Sequence, residues 1–160
     1  MHPAAADILV AANWTGEANQ HGCQGTSIQK DDEPAGHGTS SPYDVHNTLI
    51  AAGMDIKSGV VSDVPSGNVD FAPTLCCLNG IQPPDSMNGR VLKELLRGGP
   101  SPATVKVQNR VYRTQVRGSE GGYQLELSCS IVSGTEYLNF TRVKRQAAQS
   151  RPDARRNWPA

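Results

Sequence analysis

From Tyr123 to Ile131 the chain alternates without a break. Tyr123, Leu125, Leu127, Cys129 and Ile131 are separated by Gln124, Glu126, Ser128 and Ser130. A period of two is the signature of a β-strand with one face buried and one face wet, and a helix of 3.6 residues per turn scatters such a pattern around its axis. The neighbouring segments 104–117 and 135–143 alternate less cleanly, and the apolar phase of the first slips near Asn109, which predicts a bulge or bend there. Turn-forming residues lie between them, at Gly118–Gly122 and at Ser133-Gly134. The pattern predicts a three-stranded antiparallel meander over 104–143.

Upstream of residue 100 the signals change. Asp7-Ile8-Leu9-Val10-Ala11-Ala12 is a short apolar run of the kind found in buried parallel strands, and Val60–Val64 is a second. Three helices are predicted. The first covers 42–52, with Ser41 as cap, Pro42 in the first turn, Val45, Leu49 and Ala52 on one face, and Gly53 as the stop. The second covers 68–79, with Phe71, Leu75 and Leu78 at the same spacing and Gly80 as the stop; Pro73 is tolerated only in its first turn. The third covers 89–97, with Val91, Leu92, Leu95 and Leu96. Between the first strand and the first helix runs a polar, Gly-rich stretch over 13–41, and a loop of that length inside a domain points to function. The expected fold class is therefore α/β over residues 1–100, followed by an antiparallel β extension at 101–145 and a disordered polar tail at 146–160.

Charge divides the chain at the same place. Residues 1–100 hold 5 Lys/Arg against 11 Asp/Glu, a net of −6, and residues 101–160 hold 10 against 4, a net of +6. The acidic part argues against nucleic acid as a partner, and the basic part lacks the interleaved aromatics of a nucleic-acid surface. No apolar run approaches the roughly 20 residues of a membrane-spanning helix, so no membrane partner is expected. The start, MHPAAADILV, lacks the basic-then-apolar pattern of a secretory leader. The four cysteines form no CxxC pair, which excludes the usual zinc-ribbon spacings.

The chemistry-bearing segment is Gly36-His37-Gly38-Thr39-Ser40-Ser41-Pro42. Flanking glycines let a backbone turn tightly and approach a ligand, and the loop runs into a helix N-terminus, whose amides favour anions. Alone, a loop histidine is commonly a solvated side chain. The segments that follow are more specific: GHGTSSPYDVHNTLIAAG, then KSG, then NVDFAPTL, then MNGRVL, all in order across residues 36–96. This series resembles the C-terminal part of the alkaline phosphatase superfamily, in its type I phosphodiesterase/nucleotide pyrophosphatase and sulfatase-like branches. The sequence departs from the family pattern at Met54, where Pro is usual, and at Asn88, where Asp is usual.

The resemblance implies a metal-dependent hydrolase of phosphoric or sulfuric esters that works with two divalent metal ions, zinc being the usual pair. By motif position it implies that His37 is a metal ligand, with Thr39 and His46 as candidates for the shell of contacts behind it. It also implies a partial alkaline-phosphatase-like core in residues 1–100 and an extracytoplasmic location. The family's nucleophile and its remaining Asp and His ligands come from segments upstream, and these 160 residues hold no counterpart to them. No catalytic residue is therefore assigned. A two-metal clamp needs about six ligands and even one catalytic zinc about three, so the chain by itself is expected to bind no metal and to be inactive. Its expected partner is a missing N-terminal catalytic segment. The alternative is a non-catalytic truncated module or docking subunit.

Overall fold

A computed structural model describes residues 13–26, 39–118 and 121–147. In chain order its regular elements are α1 (Pro42–Val45), a 3₁₀ turn at Asn68–Asp70 running into α2 (Phe71–Leu78), 3₁₀ turns at Lys93–Leu95 and Pro102–Thr104, and three long strands: β1 (Val107–Gly118), β2 (Gly121–Val132) and β3 (Thr135–Gln146).

The strands form an antiparallel meander in the order β1-β2-β3, as the alternation predicts. The β2–β3 hairpin turns through Ser133 at φ 51° and Gly134 at φ 87°. Two consecutive positive φ values match the twist of the flanking strands, and Gly at the second position carries its share without a Cβ penalty. The bulge lies elsewhere than predicted. The β1–β2 register runs unbroken through Asn109↔Ser130, whereas β3 shifts against β2, Ser128 facing Phe140 and Cys129 facing Leu138. The extra residue is Asn139, whose amide reaches Ser130 Oγ at 3.0 Å and is thereby accommodated in the packed face. Gln146, read as the start of the tail, pairs with Gly122 and closes β3; residues 148–160 lie outside the described residues.

Burial over the second half of β2 falls on both faces: Ser128, Ser130 and Val132 of the polar phase are buried and so is Cys129 of the apolar phase, while Tyr123 at the head of the apolar phase is 45% exposed. Tyr137, on the same face as the two serines, turns into the body of the chain and explains this orientation: the sheet docks through a polar, hydrogen-bonded face rather than a greasy one. Trp14 seals the other end of that face. Its indole N–H donates to the Thr141 carbonyl at 2.5 Å, and its ring meets Phe140 edge-on at 6.0 Å under the Arg142 guanidinium.

Upstream, the helical expectations hold in one case of three. The 68–79 helix is present as the 3₁₀ turn plus α2, with Pro73 in its first turn and Gly80 at φ 66° just beyond its end. The 42–52 helix is cut to Pro42–Val45: His46 leaves helical geometry at φ −89°, ψ 78°, and the Asn47 amide takes the Asp44 carbonyl at 3.2 Å. Leu49 and Ala52, the intended packing face, are exposed, and a short helix without tertiary packing does not persist in water. The 89–97 helix is reduced to Lys93–Leu95, because the backbone on either side is used elsewhere. Lys57 N–H donates to the Leu95 carbonyl at 2.9 Å and Arg97 N–H to the Asp55 carbonyl at 2.8 Å, forming an antiparallel bridge Ile56↔Leu96. Residues 60–64 form no strand, and Val61 is 89% exposed. A parallel strand is stable between neighbours, and its expected neighbour, 7–12, lies outside the described residues.

Candidate functional site

Of the three sequence-predicted site residues, His37 lies outside the described residues, together with its flanking Gly36 and Gly38. Thr39 and His46 stand on opposite sides of α1. The Thr39 N–H donates to Asp44 Oδ2 at 2.5 Å, and its Oγ1 accepts from the Ser41 N–H at 3.3 Å. Ser41 caps α1 by accepting from the Tyr43 N–H at 3.1 Å, and Ser40 bonds to Thr141 on β3 through both its hydroxyl and its carbonyl. The Thr39–Ser41 hydroxyls are therefore spent on turning the chain and fixing it to the sheet edge. With a single turn, α1 lacks the aligned peptides of an anion-binding helix terminus, so that expectation is not met.

His46 follows α1 and is exposed on the rim of a groove of about 810 Å³, which lies between the 46–66 loop and the floor made by 92–95 and the ends of β2 and β3. The floor carries Lys57, Glu94, Tyr137 and Asn139, and every one of these is engaged within the chain. Lys57 Nζ donates to the carbonyls of Glu94 and Gly99 at 3.0 Å and to that of Pro100 at 2.5 Å. It is a clip that gathers 94–100 around 57. Glu94 receives both nitrogens of the Arg90 fork, at 2.7 and 2.9 Å. Burial pushes the Glu94 carboxyl up, but the Arg90 hydrogen bonds and charge, with Lys57 nearby, hold it below the usual carboxylate range. Burial likewise opposes the Arg90 charge, and Glu94 outweighs it, keeping Arg90 above its ordinary value.

The densest constellation is one the sequence reading did not single out. Asp70 is fully buried and accepts three hydrogen bonds: from the Gly67 N–H at 2.9 Å, from the Arg90 N–H at 2.8 Å, and from the Tyr137 hydroxyl at 2.9 Å. Arg90 Nε donates to the Tyr137 oxygen at 3.0 Å, and its Nη2 reaches the Pro65 carbonyl at 2.8 Å. The phenol, desolvated and donating to Asp70, has its pKa pushed up to about 12 and stays protonated. Beside it, Thr74 Oγ1 accepts from the Leu92 N–H at 3.0 Å, and Gly89 passes so close to the Val69 carbonyl that a Cβ would lie 2.0 Å from its oxygen. Asp70 and Thr74 belong to NVDFAPTL and Gly89 and Arg90 to MNGRVL. The signal that could have found the network was there: two motifs 20 residues apart, each with one charged residue, and Glu94 at i+4 from Arg90.

Every buried side-chain polar atom of this network finds a hydrogen-bond partner, so the network ties the 65–70, 89–94 and β3 segments together. Among the described residues no group of three or more His, Cys, Asp or Glu side chains stands close enough together to hold a metal ion. His21 and Cys23 are exposed, and Cys76 and Cys77 are free thiols on α2. No helix among the described residues is long and apolar enough to cross a membrane. No family model, no curated protein and no solved structure matches the chain.

Proposed function

We propose that this chain is the C-terminal segment of a metal-dependent phosphoric or sulfuric ester hydrolase of the alkaline phosphatase type. It contributes His37 as one metal ligand and forms a wall of the cleft. The nucleophile and the other ligands belong to a catalytic segment on its N-terminal side. The described residues do not themselves fit a two-metal centre, so the chain's share of that centre is His37 alone and catalysis belongs to the assembled protein. On this reading 7–12 and 60–64 become strands of a larger parallel sheet once their neighbours are in place, and an extracytoplasmic location is part of the same proposal.

The observation that supports the reading is the mutual locking of NVDFAPTL and MNGRVL through Asp70, Arg90, Thr74 and Gly89. Motifs found in order could be a coincidence of composition. Motifs whose distinctive residues contact one another form a unit, and Tyr137 and Glu94 of that unit lie on the floor of the groove that His46 borders. The engaged state of that floor also favours the second reading, a docking subunit without chemistry of its own.

The test is expression of the chain alone and joined to the residues encoded immediately upstream, each assayed for bound zinc and for hydrolysis of bis(p-nitrophenyl) phosphate and p-nitrocatechol sulfate. The expected result is activity and about two zinc ions in the joined form only. Activity in neither form leaves the docking-subunit reading. Zinc-dependent turnover by the 160 residues alone overturns both.

A further inference from the structure

The outward face of the meander is the least explained surface of the molecule. Register places Tyr123, Leu125 and Leu127 of β2 on it, flanked by Val116 of β1 and by Leu138 and Val143 of β3. Val116, Tyr123 and Leu138 keep 49%, 45% and 41% of their surface exposed. Alternation this strict is what a sequence needs when a face is to be covered, yet among the described residues the body packs mainly against the opposite face, through Tyr137 and the buried Ser128 and Ser130, and reaches this one at its edge, where Ser40 bonds to Thr141.

We propose that this face is covered by the same face of a second copy, the two sheets packing about a two-fold axis that crosses β2 at Leu127 perpendicular to the strands. An isologous contact requires a patch to complement itself, and here the register makes it do so. Rotation about that axis sets β2 antiparallel over the partner's β2. Leu127 then lies over its own copy and Tyr123 over the partner's Ile131, while Leu125 falls at the level of the partner's Cys129, which is itself buried beside the Arg110–Tyr112–Glu136 hydrogen bonds, so the apolar contact centres on Leu127 and the Tyr123 end of the strand. The charged residues obey the same operation. On β3, Arg145 lies level with Tyr123 and Glu136 level with Ile131, four positions to either side of Leu127. The two-fold axis therefore brings each Arg145 over the partner's Glu136, twice per dimer, at the rim of an apolar centre. Sheets packed face to face lie about 10 Å apart, a gap that an arginine and a glutamate side chain bridge between them. Arg110 falls over the partner's Thr114, so no like charges meet. The twelve-residue strands give the face enough length for such a contact, and the pairing does not depend on the hydrolase reading.

The experiment is sedimentation equilibrium on the full chain and on Arg145→Glu and Glu136→Arg. Both positions are exposed; Glu136 also accepts from the Tyr112 hydroxyl at 3.0 Å, so the circular dichroism of Glu136→Arg is compared with wild type first. The expected species at tens of micromolar has twice the chain mass of 17.1 kDa. Each single reversal places like charges at both rim contacts and is expected to raise the dimer dissociation constant at least tenfold. Mixing the two variants restores opposite charges at both contacts and is expected to return a heterodimer near wild-type affinity. Tyr123→Lys, in the apolar part, is expected to abolish the dimer, and no mixture with either charge variant restores it. A wild-type chain that stays monomeric, single reversals without effect, or a mixture that fails to recover each overturns the proposal; a monomer that takes up the catalytic segment on this face does so as well.

Discussion

Tyr137 donates its hydroxyl proton to Oδ2 of Asp70 at 2.9 Å, across 67 residues of sequence. With the hydrogen bond from Arg90 Nε to the same hydroxyl, it joins β3 to the 67–70 and 87–92 segments. The buried apolar set among the described residues is small, with Leu92, Val132, Cys129 and Tyr137 its members. A junction with so little hydrophobic area rests on its polar network, and a network of this kind is strong only while every member is satisfied.

Tyr137→Phe tests that junction. The change keeps the ring but removes one of three donors to Asp70 and the acceptor of Arg90 Nε. A buried group left unsatisfied costs about 1–3 kcal/mol, so the unfolding free energy from urea titration is expected to fall by that amount, seen as a lower midpoint at an unchanged m-value. A loss below about 0.5 kcal/mol, the size of an ordinary surface change, shows that the sheet is held by something else.

Glu94→Gln separates charge from shape. The Arg90 and Glu94 side chains are 8% and 4% exposed, and removing one partner of such a pair leaves a buried charge uncompensated at about 3–5 kcal/mol. The expected loss exceeds that of Tyr137→Phe. The check is the same urea titration, with salt as a control, because a buried pair responds little to ionic strength.

Stability is expected to fall at both ends of the pH scale for reasons that can be assigned. The Tyr137 phenol titrates near 10 when unfolded and at about 12 when folded. A raised folded value means that its contribution is complete below pH 10 and is lost as pH rises toward 12, an effect of about 2 kcal/mol. Glu94 is depressed in the fold, so its contribution is complete above the unfolded carboxylate value of about 4.3 and is lost as pH falls through the lower folded value. Tyr137→Phe removes the alkaline slope and Glu94→Gln the acid one. Unfolding curves whose pH dependence survives these substitutions assign it to other groups.

The meander was legible because alternation, turn residues and length all agreed over 104–143. Its orientation was not. Periodicity tells which residues share a face but not which face meets the body, and the choice was made by Asp70 and Arg90, far away in sequence. The helix at 42–52 failed for a related reason: Val45, Leu49 and Ala52 have the right spacing, but spacing stabilises a helix only when something packs on it. At 89–97, Leu92 and Leu95 suit a helix equally well, and the outcome was decided by backbone pairing with 55–57 and by the close pass of Gly89 over Val69. His37 and Thr39 are read from their motif positions in the sequence, while Asp70, Arg90, Glu94 and Tyr137 reveal their partnership only in three dimensions.

Gly89→Ala is expected, like Gly99→Ala, to be strongly damaging, because both glycines pass too close to backbone for a Cβ. The added Cβ would lie 2.0 Å from the Val69 carbonyl oxygen and 2.4 Å from its carbon. These are backbone atoms that cannot rotate aside, and Val69 adjoins Asp70, so any retreat breaks the hydrogen bond from the Arg90 N–H. Overpacking of a side-chain site costs about 1–3 kcal/mol and occasionally more; here the upper end or outright loss of the cooperative transition is expected by circular dichroism. A Gly89→Ala chain that unfolds like wild type means that the 69–70 and 89–90 segments are not in contact.

The last expectation concerns the two histidines of the 36–46 loop. If the hydrolase reading holds, His37 binds metal through one ring nitrogen, with the other held by an acceptor behind it, and Gly36 and Gly38 permit the close approach. His46 stands on the groove rim, one residue past α1, with its backbone N–H donating to the Pro42 carbonyl at 3.1 Å and its side chain exposed. Among the described residues no group of metal-ligating side chains stands beside it. In the chain joined to its catalytic segment, His37→Ala is therefore expected to lower affinity for one of two zinc ions by at least a hundredfold, since a catalytic zinc rests on about three protein ligands. The second zinc should be affected far less, and ester hydrolysis should fall with the first. His46→Ala is expected to change zinc affinity less than tenfold. Zinc stoichiometry by mass spectrometry and competition with a chelator of known affinity read the two effects separately. A greater loss with His46→Ala, or two zinc ions retained at full affinity without His37, removes the assignment on which the reading depends.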